Sequence, residues 1–145
     1  MVRCARRPQH PGIVTVRGLP RNDPARAARR GPGRARARTA LQPSRLVRAA
    51  VRAVDPGERA YVDRHAVAEL PAARLADPTD LVDATAATGA DHVHIHIDRD
   101  VLDPTVFSPV GTPEPGGLTP QTLLAAVTAL VERYTVASLT ITEYE

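Results

Sequence analysis

Two aspartates two positions apart, Asp98 and Asp100, carry the clearest chemistry in this chain. They close the stretch HVHIHIDRD, in which His92, His94, His96, Asp98 and Asp100 alternate with Val93, Ile95 and Ile97. Alternation of period two is the mark of a strand, whose side chains point to opposite faces. The pattern therefore puts five groups able to bind a metal ion or a proton on one face. Carboxylates at i and i+2 lie roughly 6–7 Å apart at their Cα atoms, close enough to share one ion or to bridge two. Carboxylate oxygens suit hard divalent cations, and intermixed imidazoles shift the choice toward Mn, Fe, Zn or Ni. A plainer role competes, because an Asp-x-Asp pair also caps elements or pairs with arginine. Spacing alone does not choose between them.

The surrounding elements decide where these groups sit. The strand is expected to end near Asp103-Pro104, since proline cannot donate to a ladder. A loop rich in Pro and Gly follows, then a helix start at Leu118-Thr119-Pro120. Asp98 and Asp100 thus fall at the carboxyl end of a strand that feeds a helix, the edge where open α/β sheets bind ligands. Upstream, RLVRAAVRAV (residues 45–54) has the apolar density of a buried strand, although the same letters could form a helix, and Asp55-Pro56-Gly57-Glu58 breaks it before a short helix. Residues 65–70 read as a further strand. Residues 78–88 read as a helix, capped by Asp77 or Thr79 and ended by Gly89. Strand, helix, strand at this spacing implies a βαβ crossover and a parallel sheet. Residues 119–133 form an amphipathic helix with Thr119 as N-cap and Pro120 at N1. There Leu123, Leu124, Val127, Leu130 and Val131 would cover the sheet, and residues 136–142 form the closing strand.

Composition bounds the rest. The 145 residues suffice for one domain with a modest core. The formal charge of +3 hides a division: all 19 basic residues are arginine, and eleven lie in the first 38 positions against the single acid Asp23. Residues 1–43, dominated by Arg, Pro and Gly, are expected to be poorly ordered, with only residues 13–16 able to form a short strand. Such an arm could neutralise phosphates. It contains no lysine and no aromatic residue to stack on bases, so the expectation is against nucleic-acid binding. One cysteine, Cys4, excludes an internal disulfide and fits a reducing cytoplasm. No apolar run approaches the ~20 residues needed to span a membrane.

The stretch HIHIDRDVLDPTVFSPVGTPEPGG resembles the signature of the arginase/agmatinase (ureohydrolase) family, S-F-D-x-D-x-x-D-P followed by A-P-G-T-G-T-P-x-x-G-G. The resemblance implies a three-layer α/β/α fold with a parallel sheet, here partial. It also implies two manganese ions that activate a hydroxide against a guanidinium carbon. Asp98 and Asp100 match metal ligands, and Thr112 matches a threonine lining the substrate pocket. VRAVDPGERAYV is similar to the family's G-x-R-D-x-D-P-x-E segment, whose acids help hold the substrate's α-amino group; these match Asp55 and Glu58. A turn with a helix N-cap explains the same two residues equally well. Glu143 matches the glutamate of a closing E-x-N-P motif that contacts the reacting guanidinium. QHPGIVTVRGLP has a weaker likeness to H-G-M-P, whose histidine shuttles protons and would correspond to His10.

Departures accompany the likeness. His96 stands where the family usually has serine, and Ala50 and Ala53 replace a glycine and an aspartate. The G-G-D-H and D-A-H-x-D segments, which supply the family's other four metal ligands, have no counterpart in this sequence. The expectation is therefore a truncated, carboxyl-side part of an arginase-like domain over residues 44–145. Its implied reaction is hydrolysis of arginine to ornithine and urea. Agmatinase or formiminoglutamase activity, and a non-catalytic remnant or binding module, stand as alternatives. A small guanidino substrate and a homo-oligomer, trimer or hexamer, are the partners the family implies.

Overall fold

The computed structural model describes residues 14–19, 41–107 and 114–142, the first of these through its main chain. Five strands form one sheet: β1 (Val14–Leu19), β2 (Leu46–Ala49), β3 (Ala68–Leu70), β4 (His92–Asp98) and β5 (Thr135–Thr142), in the order β3-β2-β1-β4-β5. Among the described residues three α-helices accompany them: α1 (Pro56–His65), α2 (Pro78–Ala87) and α3 (Pro120–Arg133). Each begins with proline after a side-chain cap. Asp55 accepts from the Glu58 N–H, Asp77 from Thr79, and Thr119 from Thr122. A missing N–H costs nothing in a helix's first turn, so proline and cap together fix the start.

β2 pairs with β3 in parallel, and β4 with β5 likewise, as the βαβ spacing implies. One strand departs from this parallel pairing. β1 runs antiparallel to both neighbours, in the middle of the sheet, with Val16 opposite Val47 on one side and Ile95 on the other. β1 also comes from the arginine-rich segment expected to be poorly ordered. It extends to Leu19, beyond the short strand expected at residues 13–16. The residue run TVR can join either kind of ladder, and a strand that arrives from outside any βαβ unit has no crossover to fix its direction.

The core lies on one face. Val47, Ala49, Val93 and Ile95 meet Leu81 of α2 and Ala126 and Leu130 of α3, all fully buried. Of the α3 residues expected to cover the sheet, Leu123 and Val127 pack against this core, whereas Leu124 and Val131 are 66% and 55% exposed. The helix presents a narrower stripe than its composition offers. On the opposite face Arg48 of β2 meets α1 through Glu58, so the layers are helix, sheet, helix. No described helix is long and apolar enough to cross a membrane.

Candidate functional site

β4 keeps its predicted alternation through Ile97: Val93, Ile95 and Ile97 are buried and the histidines half-buried. It ends sooner than expected, at Asp98. Asp100 belongs to a 3-10 turn over Arg99–Val101, so it is the turn and not the pleat that aims its side chain. Both carboxylates are nevertheless drawn in, with Asp98 9% and Asp100 4% exposed, at the carboxyl end of β4.

Three sets of contacts fix this edge. The Arg52 guanidinium, from the segment after β2, donates to the main-chain carbonyls of Asp100 and, at 2.8 Å, Val101. The chain then folds back on itself: Leu118 N–H donates to the Val101 carbonyl and Asp103 N–H to the Leu118 carbonyl, both at 2.9 Å. The Asp103 carboxylate ties the neck of the loop. It accepts from the Thr105 hydroxyl (2.6 Å) and from the N–H groups of Thr105 (2.9 Å), Gly116 (2.8 Å) and Gly117 (3.1 Å). Donors aimed at the charged form stabilise it, and the Thr105 hydroxyl foremost, with these N–H groups, holds the Asp103 carboxyl down to about 2. Nearby, the Arg99 guanidinium lies 4.4 Å over the Phe107 ring.

The histidines lean toward β5. His94 Nδ1 is 2.6 Å from Ser138 Oγ, its register partner. His96 Nε2 lies 3.4 Å from Thr142 Oγ1, although its own register partner is Thr140. Thr142 is opposite Asp98. The His96 ring therefore slants along the strand toward the carboxyl edge.

Asp55 and Glu58 lie at the start of α1. Asp55 Oδ1 accepts the Glu58 N–H at 2.8 Å, the cap that the turn reading anticipates. The Glu58 carboxylate sits 2.7 Å from the guanidinium of Arg48, a residue 4% exposed. Arg48 also lies 3.3 Å from Glu69, which pairs in turn with Arg59. A buried arginine demands paired acids, and this network supplies them. Thr112, Glu143 and His10 lie outside the described residues.

The edge gathers Asp98, Asp100 and the tilted ring of His96. Among the described residues, no group of three or more His, Cys, Asp or Glu side chains could hold a metal ion. The described residues thus do not fit a two-manganese centre by themselves. The sequence reading singled out neither Arg52 nor Asp103. Asp103-Pro104-Thr105 carries the Asx-turn signature that points to the second; Arg52 has no local signal, because its partners are 48 and 49 positions away. A shallow concavity lined by Gly89, Asp91, Glu132 and Thr135 lies at the other, amino end of β4 and β5.

Residues 18–145 match the sequence profile of the arginase family. No curated protein sequence matches the chain. The Helicobacter pylori arginase structure is similar with a TM-score of 0.67 at 22% identity, over 72% of this chain and 36% of that one. Bacillus caldovelox arginase gives 0.65 at 28% identity, over 72% and 37%. Bacillus subtilis formimidoylglutamase gives 0.62 at 22% identity, over 72% and 35%. The chain spans little more than a third of the length of these structures. With its parallel strand pairs, its flanking helices and a profile match over residues 18–145, the chain belongs to the arginase family.

Proposed function

We propose that this chain serves a hydrolase that cleaves a guanidinium C–N bond of a linear amidine, with arginine, giving ornithine and urea, as the substrate. The observation that carries the reading is the burial of Asp98 and Asp100 at the carboxyl end of β4, within the family match. Two acids at that edge create a negative field that attracts a guanidinium cation. Asp98 and Asp100 take the metal-ligand roles, Asp55, Glu58 and Thr112 the substrate-binding roles, Glu143 the contact with the reacting guanidinium, and His10 the proton shuttle. Manganese is the ion the resemblance implies. The described residues do not complete its site. Agmatine and formiminoglutamate are the competing substrates; the presence of both Asp55 and Glu58 favours a substrate bearing an α-amino group. A cytoplasmic homo-oligomer completes the proposal, resting on the lone Cys4 and the family likeness.

A second reading, a non-catalytic family member, is favoured by one observation. Asp55 caps a helix and Glu58 is paired with Arg48, so both acids already have structural employment. Incubating the chain with arginine, agmatine or formiminoglutamate and added manganese, and assaying urea or formamide, separates the two readings. Product from arginine above the other substrates supports the first. No product from any of the three supports the second.

A further inference from the structure

Among the described residues β5 has one neighbour, β4, so its outer side forms a sheet edge. Leu139 and Ile141 stand opposite Ile95 and Ile97, on the face that carries the core. The two β4 residues are buried, yet Leu139 is 51% and Ile141 56% exposed. Edge strands are usually blunted by charge, proline or brevity. β5 runs for eight residues, TVASLTIT, with no charge, proline or glycine. Its one irregularity, the extra residue Ala137, lies toward the amino end and leaves residues 138–142 in regular register.

This edge is complementary to itself. A two-fold axis through Thr140, normal to the sheet, sets Leu139 of one copy opposite Ile141 of the other, twice. Thr140 then meets its own copy and Ser138 meets Thr142, so apolar residues share one face and hydroxyls the other. Opposed pairs of this kind stand about 4.5–5.5 Å apart at Cβ and stabilise a sheet. A strand without charge brings no like-charge repulsion to its copy. α3 suits the same seam. It joins β4 to β5, so two copies of it over a joined sheet stand about two strand spacings, ~10 Å, apart, the distance at which helices pack. α2 packs against α3, where buried Ala126 and half-buried Ala129 occupy one flank. Leu124 and Val131, both exposed, occupy the other flank and supply apolar side chains for that contact.

We propose that two copies of this chain associate through β5, antiparallel about Thr140, into one continuous sheet. The inference stands apart from the hydrolase reading, which urea release judges separately.

Size-exclusion chromatography with light scattering, on the full chain over a range of concentrations, tests this. Reductant keeps Cys4 from cross-linking copies. The mass is expected to rise with concentration to two chains and no further, because a two-fold edge is used up in the pair. Thr140→Lys and Thr140→Glu each place like charges directly across the axis and are expected to weaken association by about tenfold. Mixing the two variants opposes unlike charges and is expected to restore the pair. Circular dichroism melting shows that each variant remains folded. A chain that stays monomeric at every concentration overturns the proposal, as does a trimer or hexamer. A pair that neither variant weakens, or that mixing does not restore, lies elsewhere on the surface and overturns it too.

Discussion

Arg52 holds the main-chain carbonyl of Asp100 from 48 residues away in the chain. With its second donation, to Val101 at 2.8 Å, it ties the segment after β2 to the turn that carries the buried carboxylate. Removing the guanidinium takes a charged donor from both carbonyls, although that of Val101 keeps the Leu118 N–H. Arg52→Ala is expected to cost about 1–3 kcal/mol in urea denaturation, through the loss of two charged hydrogen bonds. Arg52→Lys recovers part of this, because an ammonium can donate to a carbonyl but lacks the fork that spans two of them.

The neck of the loop has no room for a side chain at Gly117. A Cβ there would stand 2.5 Å from Asp103 N and 2.7 Å from the Leu102 carbonyl oxygen, and main chain cannot swing aside. Gly117→Ala is expected to lose about 1–3 kcal/mol or more, the usual range for overpacking. At Gly116 the space is open but φ is +79°, so Gly116→Ala is expected to lose about 1–2 kcal/mol through backbone strain alone. Thermal melts of the two variants side by side check the order.

Stability is expected to fall in acid through Asp103. Its folded carboxyl sits at about 2, below the ordinary value of 3.8, so the unfolded chain binds the proton more readily. The contribution is present in full above the unfolded value and is lost as pH drops from near 4 through 2. Asp80, lowered by its hydrogen bond from Arg74, acts in the same direction. Denaturation midpoints between pH 2 and 5 are expected to fall more steeply for the parent chain than for Asp103→Asn.

Glu58 faces a buried cation. Glu58→Gln leaves the Arg48 guanidinium with Glu69 alone, and a loss of about 1–3 kcal/mol is expected, below the full penalty of an orphaned charge because Glu69 remains. Arg48→Met removes the demand for both acids and is expected to cost less than Glu58→Gln. The reverse order in urea denaturation would assign Glu58 a role independent of Arg48.

Sequence signals were strongest where they were local. The caps Asp77 and Thr119 and the prolines after them place α2 and α3 within a residue or two, because cap, proline and apolar spacing agree. The alternation from His92 to Ile97 gave β4 and its faces. It misled at Asp100, since an Asp-x-Asp alternation continues equally well into a 3-10 turn. β1 was only half legible: residues 13–16 read as a short strand, but its extension to Leu19 and its central, antiparallel placement depend on partners 29 and more residues away. The ties made by Arg52 and Arg48 were invisible for the same reason, as arginine carries no periodic signal of its partner. Asp55 illustrates a genuine degeneracy, in which one Asp-Pro-Gly-Glu string serves as cap and as the family's substrate loop.

The central claim, that a family hydrolase centred on Asp98 operates at the carboxyl edge of β4, is tested most directly by urea release. Arginine would be incubated with the chain and with Asp98→Ala, each with manganese or zinc and again with chelator. Urea is expected from the parent chain only when metal is present, and none above background from Asp98→Ala. Equal release by both proteins, or release that chelation leaves untouched, would contradict it.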